Sequence, residues 1–96
     1  MWNEAFEWDA PKARSNLIKH GVSFEAASRV FDDLFAVERL DEESDASEIR
    51  SLTTGMVNDV LLTVVHTERG ERIRIISARK ATGYEQQDYY RGQTSG

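Results

Sequence analysis

Apolar positions change their period along the chain, and the changes mark the elements. Ala5-Phe-Glu-Trp8 alternates briefly, which predicts a short edge strand. Asp9 then stands where an N-cap belongs, with Pro11, the one proline, in the first turn. Residues 11–20 suit a helix with Ala13, Asn16 and Leu17 sharing a face, and Gly21 is placed as its C′ residue. Ser23 opens a second helix whose stripe is Phe24, Ala27, Val30 and Phe31. From there the period falls to two. Strands are expected at 34–40, 49–54, 60–67 and 72–78, with 68–71 closing a hairpin between the last two. Val60-Leu-Leu-Thr-Val-Val65 reads as a central strand buried on both faces. A final helix is expected over 79–90, followed by a frayed end over 91–96.

The order β-α-α-β-β-β-β-α predicts an α+β domain: an antiparallel sheet with two N-terminal helices and one C-terminal helix. One domain spans residues 1–91, with 92–96 as a flexible tail. Strand alternation puts Arg72 and Arg74 on one face and Ile73 and Ile75 on the other. It likewise separates Val64 and His66 from Thr63, Val65 and Thr67. Register decides whether Arg50, His66 and Arg74 converge, and a single strand sequence does not encode register.

Composition narrows the chemistry. There is no cysteine and there are only two histidines, so neither a disulfide frame nor a thiolate metal site is available, and no metal or cofactor is expected. No apolar run approaches a membrane span and the N-terminus lacks signal-peptide character, so the expectation is a cytoplasmic protein with no membrane partner. The net charge is −5, yet it is unevenly placed: residues 1–48 hold 5 Lys+Arg and 12 Asp+Glu, and residues 49–96 hold 7 and 5. The segment Asp41-Glu-Glu-Ser-Asp-Ala-Ser-Glu48 is expected to be a mobile acidic loop. Against this background, Arg72-Ile-Arg-Ile-Ile-Ser-Ala-Arg-Lys80 concentrates four cations in nine residues. Arginines in a fixed array suit a phosphate ester; the ordinary alternative is a strand edge with surface ion pairs.

Two ordered blocks carry a family resemblance. One is Phe6-Glu-Trp-Asp9, Lys12-Ala13, Asn16, Lys19-His-Gly-Val-Ser-Phe-Glu-Ala26 and Val30-Phe-Asp32. The other is Val64-Val-His-Thr-Glu-Arg69, Ile73-Arg-Ile-Ile-Ser-Ala-Arg-Lys-Ala-Thr82, Glu85 and Tyr89. Together they resemble the BrnT toxins of type II toxin–antitoxin systems. The resemblance implies a RelE-like fold and an endoribonuclease that cuts mRNA and arrests translation. It also implies neutralisation by a small BrnA-type, ribbon-helix-helix-like antitoxin, with promoter DNA bound only through the complex. The chain departs from the family at Asp33-Leu34, where relatives often have Asp-Pro. It departs again in the last helix, where Gly83, Tyr84, Gln86 and Gln87 replace expected cations.

Metal-independent RNA cleavage needs a base, cations for the phosphate charge, and an acid for the leaving oxygen. Candidate catalytic residues are His66, Arg50, Arg74, Arg79, Glu85 and Tyr89. Substrate-binding candidates are Lys19, His20, Arg72 and Lys80. Each has an ordinary reading: a satisfied strand histidine for His66, a cation at a helix C-terminus for His20, an Arg79–Glu85 ion pair. Trp2 and Trp8 read as core or edge cover. Antitoxin contact is expected on the same positive surface. The competing function is a weakened toxin homologue that binds antitoxin and co-regulates its promoter without cleaving RNA.

Overall fold

The computed structural model describes residues 5–94. Strand β1 is Phe6–Glu7 and helix α1 is Ala10–His20. The side chain of Asp9 accepts from the Lys12 N–H at 3.1 Å and so caps α1. Gly21, at φ +71°, ends the helix in the left-handed conformation with its N–H on the Leu17 carbonyl. Ser23 caps α2, Phe24–Ser28, by accepting from Ala26 N–H at 3.0 Å, and a 3₁₀ turn over Arg29–Asp32 follows. Four strands complete the sheet: β2 Val37–Leu40, β3 Ser51–Val57, β4 Val60–Arg69 and β5 Arg72–Lys80. Helix α3 is Gly83–Thr94.

The five strands lie in the order β1-β5-β4-β3-β2. β2 to β5 are antiparallel to their neighbours as expected, but β1 runs parallel to β5, with Phe6 opposite Ile73 and Glu7 opposite Arg74. Between β1 and β5 lie both helices and three strands, a connection long enough to permit parallel pairing. Asn58 and Asp59, at φ +49° and +67°, form the two-residue turn between β3 and β4, the positive-φ pair that matches strand twist.

The core lies under α1, α2 and the 3₁₀ turn. Phe24, Ala27 and Val30 have no exposed surface and pack on Val64, Ile75 and Ala78. Trp8 meets Phe24 edge-on at 5.9 Å, which makes it core cover, while Trp2 lies outside the described residues. The expected α1 face changes in detail: Asn16 is buried and Leu17 is half exposed. Asn16 earns its burial by acting as a piece of strand. Its amide donates to the carbonyls of Ala78 (2.8 Å) and Val22 (2.9 Å) and accepts from Ala78 N–H (3.1 Å). β1 pairs only with the start of β5, so this side chain satisfies edge groups that no strand reaches.

Several boundaries differ from expectation: β2 begins at Val37 rather than 34, β3 runs Ser51–Val57 rather than 49–54, and β4 reaches Arg69. β5 continues through Lys80, and α3 starts four residues later than expected and runs through Thr94; residues 95–96 lie outside the described residues. The acidic loop is closed by its own bonds, with Asp45 Oδ1 accepting from Ser47 N–H, Ser47 Oγ–H and Glu48 N–H. No helix among the described residues is long and apolar enough to cross a membrane.

Candidate functional site

A β-bulge decides the site. Val65 faces Ser77 but His66 faces Ile75, so Ile76 is an extra residue in β5. Below it, alternation is as expected: Ile75 is buried with His66 on the helix-covered face, and Arg74 faces Thr67 on the other. Beyond it, the parity reverses. Ala78 enters the core opposite Val64, and Arg79 faces Thr63 on the same side as Arg74. Those two arginines lie four β4 residues apart, roughly 13 Å along the sheet.

The second face holds a buried carboxylate. Thr82 and Glu85 form a reciprocal cap at the start of α3: Thr82 N–H donates to Glu85 Oε1 (2.9 Å), and Glu85 N–H donates to Thr82 Oγ1 (3.2 Å). This fixes Glu85, 3% exposed, over Thr63, whose hydroxyl donates to Oε1 at 2.9 Å. Arg79 grips both carboxylate oxygens, at 2.7 and 3.0 Å, and Arg39 from β2 reaches Oε2 at 2.5 Å. Burial alone would raise the Glu85 pKa. The bonds from Arg79, Thr82 and Thr63 outweigh it and hold the carboxyl at about 2. The same pairing holds the Arg79 guanidinium above its ordinary value. Two arginines on one carboxylate leave a net positive charge, and the arginine side chains are 48% and 32% exposed.

Other expected residues are placed apart. His66 is 5% exposed on the opposite face, with Nε2 2.8 Å from Thr53 Oγ1 and its ring edge-on to Phe31 at 4.9 Å. Burial pushes its pKa down, against the pull of Glu38 and Glu68. It does not converge with Arg74 or Arg79. Arg50 flanks β3 and pairs with Glu48 at 3.0 Å, and Arg74 pairs with Glu7 at 2.7 Å. Lys80, opposite Leu62, has the other parity from Arg79. Lys19 and His20 are exposed at the end of α1, on the helix side of the sheet. Arg72 follows Arg74's parity and is half-buried at the β5 start.

Tyr89 is a brace. Its hydroxyl donates to Asp33 Oδ2 at 2.6 Å, and the same carboxylate accepts from Met56 and Phe35 N–H groups. Burial and then the Asp33 bond push the Tyr89 pKa up to about 12, which keeps the phenol protonated and bonded to Asp33 near neutrality. Asp33 is held below the usual range, because those three donors outweigh burial. Asp33 thus ties the 3₁₀ turn, β3 and α3 together. Arg39 is the residue sequence reasoning missed: nothing local connects it to Glu85, 46 residues away. The Thr82-x-x-Glu85 spacing was the available signal for the α3 start.

With this geometry in place, one family model matches residues 8–85, described as the ribonuclease toxin BrnT of a type II toxin–antitoxin system. The chain belongs to the BrnT family. No curated protein matches it. Residues 8–85 run from just after β1 to the start of α3, so the matched region ends on the Glu85 carboxylate that holds Arg39 and Arg79. Membership of this family of ribonuclease toxins implies an RNA substrate and an antitoxin partner.

Proposed function

We propose that this BrnT chain cleaves mRNA without a metal, using the Arg39–Glu85–Arg79 cluster as its phosphate clamp, and so halts translation until an antitoxin of BrnA type covers it. The observation that carries the reading is the pair of part-exposed guanidiniums held on one buried carboxylate. Each guanidinium presents five N–H donors, so both retain donors for a phosphate after gripping Glu85. In the reaction the 2′-oxygen bonds to phosphorus, the P–O5′ bond breaks, and one proton passes from the 2′-hydroxyl to the leaving oxygen. Arg39 and Arg79 stabilise the charge gathering on the phosphate, and Arg74 holds the backbone further along the sheet. Glu85 is a positioning residue: with a pKa of about 2 and every lone pair direction engaged, it is a poor proton acceptor. The α+β arrangement is read as RelE-like, the site of action as cytoplasmic, and promoter DNA as a ligand of the antitoxin complex alone.

A second reading has its own support. Arg50, Arg74 and Arg79 are each paired with a carboxylate, which suits a chain that binds antitoxin without cutting RNA. The test is cleavage of RNA by purified protein in excess chelator, beside growth arrest on induction. Cleavage that Arg39→Ala and Arg79→Ala both abolish supports the clamp. No cleavage and no arrest, with tight antitoxin binding, establishes the second reading instead.

A further inference from the structure

The helix-covered face of the sheet carries a cleft of about 620 Å³ that no α1 residue lines, within the range of ligand sites. Its polar lining includes Glu38, Glu48 and Glu68 against one cation, Arg69, and its apolar walls include Phe31, Ile49 and Ile73. Glu48 is bonded to Arg50, whereas Glu38 and Glu68 are exposed and in no ion pair among the described residues. His66 forms part of the wall, and its Nδ1 is the one buried side-chain polar atom without a hydrogen-bond partner among the described residues. Buried polar groups are seldom left so. Carboxylates around apolar walls, beside an imidazole with an unspent nitrogen, suit a side chain with an aliphatic stem and a donor-rich cationic head.

We propose that this cleft receives an arginine side chain presented by the protein partner, its stem against Phe31, Ile49 and Ile73 and its guanidinium on Glu38 and Glu68. This adds a second anchor to the partner reading above, on the face opposite the Arg39–Glu85–Arg79 cluster. The anchor holds a basic segment, where the clamp face would receive an acidic one. RNA is disfavoured here because three carboxylates repel a phosphate backbone.

The test is nuclear magnetic resonance of the full chain titrated with Nα-acetyl-arginine amide, with the isosteric, uncharged citrulline amide as control. The arginine compound is expected to shift the Ser51 and Glu68 amides and the His66 ring nitrogens with a Kd of about 1 mM. Citrulline, and arginine added to the Glu38→Gln/Glu68→Gln variant, should each bind ~10-fold more weakly. Since both glutamates are exposed, the variant's remaining amide spectrum should be unchanged. Equal shifts from citrulline, shifts confined to the Arg39–Arg79 face, or full binding by the folded variant would overturn the proposal. Because the readout is binding, a chain that cleaves no RNA still tests it. Adding the cognate antitoxin to the same variant supplies a second arm: a ~10-fold loss of affinity is expected, and an unchanged affinity rejects the anchor.

Discussion

The two faces of one sheet treat their ionisable groups in opposite ways. On the helix-covered face, His66 is buried, kept neutral, and surrounded by carboxylates at the cleft rim. On the other face, Glu85 is equally buried yet fully charged, because two arginines, a hydroxyl and a backbone N–H meet it. Burial is common to both, and partners account for the difference. A lone imidazole in the wall yields its charge, whereas a carboxylate with enough donors keeps it and orders the cations around it. The arginine face is therefore the one that holds a net positive charge.

The sharpest way to break this contrast is to remove a cation from Glu85. Arg79→Ala is expected to lower RNA cleavage by about 10²–10³-fold, the scale for losing one donor to transition-state charge. Single-turnover cleavage by folded variant protein measures it, and wild-type rates would reject the clamp. Removing the carboxylate comes next. Glu85→Gln should cost on the order of 3 kcal/mol near pH 7, from the difference between 4.5 and about 2. Because the folded pKa is depressed, that contribution is present above pH 4.5 and is lost as pH falls through 2. Urea unfolding across this range should show an acid limb that the variant lacks.

Smaller effects sharpen the contrast elsewhere. Tyr89→Phe should cost about 1–2 kcal/mol by removing the bond to Asp33. The Tyr89 pKa is raised, so its share of stability is full below pH 10 and lost as pH rises through about 12. Thermal melts between those values should fall more steeply for wild type than for the variant. The smallest change is on the helix face. Folded His66 resists protonation while the unfolded chain takes a proton near its ordinary value of 6.5, so wild type loses stability as pH drops below that point. His66→Gln should flatten this loss and leave cleavage within about twofold. A large loss of cleavage would return His66 to the site.

Much of the local structure was legible. The caps at Asp9 and Ser23 and the Gly21 terminus follow from chemistry within four residues, and each forms as expected. The stripe Phe24, Ala27, Val30 was readable for the same reason, since helical period alone aligns it. The site was less legible. Histidine pKa values near neutrality drew attention to His66, but strand parity only separated it from Arg74 once the partner strands were in register. Tyr89 and Glu85 share a helix face, yet one reaches Asp33 and the other Arg39, each across more than forty residues.

By itself the sequence determined the α+β element order, both ends of α1 and the start of α2. It also determined the split of Ile73 and Ile75 from Arg72 and Arg74, because these depend on neighbours in the chain. Tertiary structure alone decided which arginines share a face. Strict alternation would have sent Arg79 to the core with Ile73 and Ile75. The bulge at Ile76 instead lets Ala78 pack beneath Asn16 and turns Arg79 out to Glu85. One extra residue reverses every position after it, and only pairing between strands determines where that residue falls.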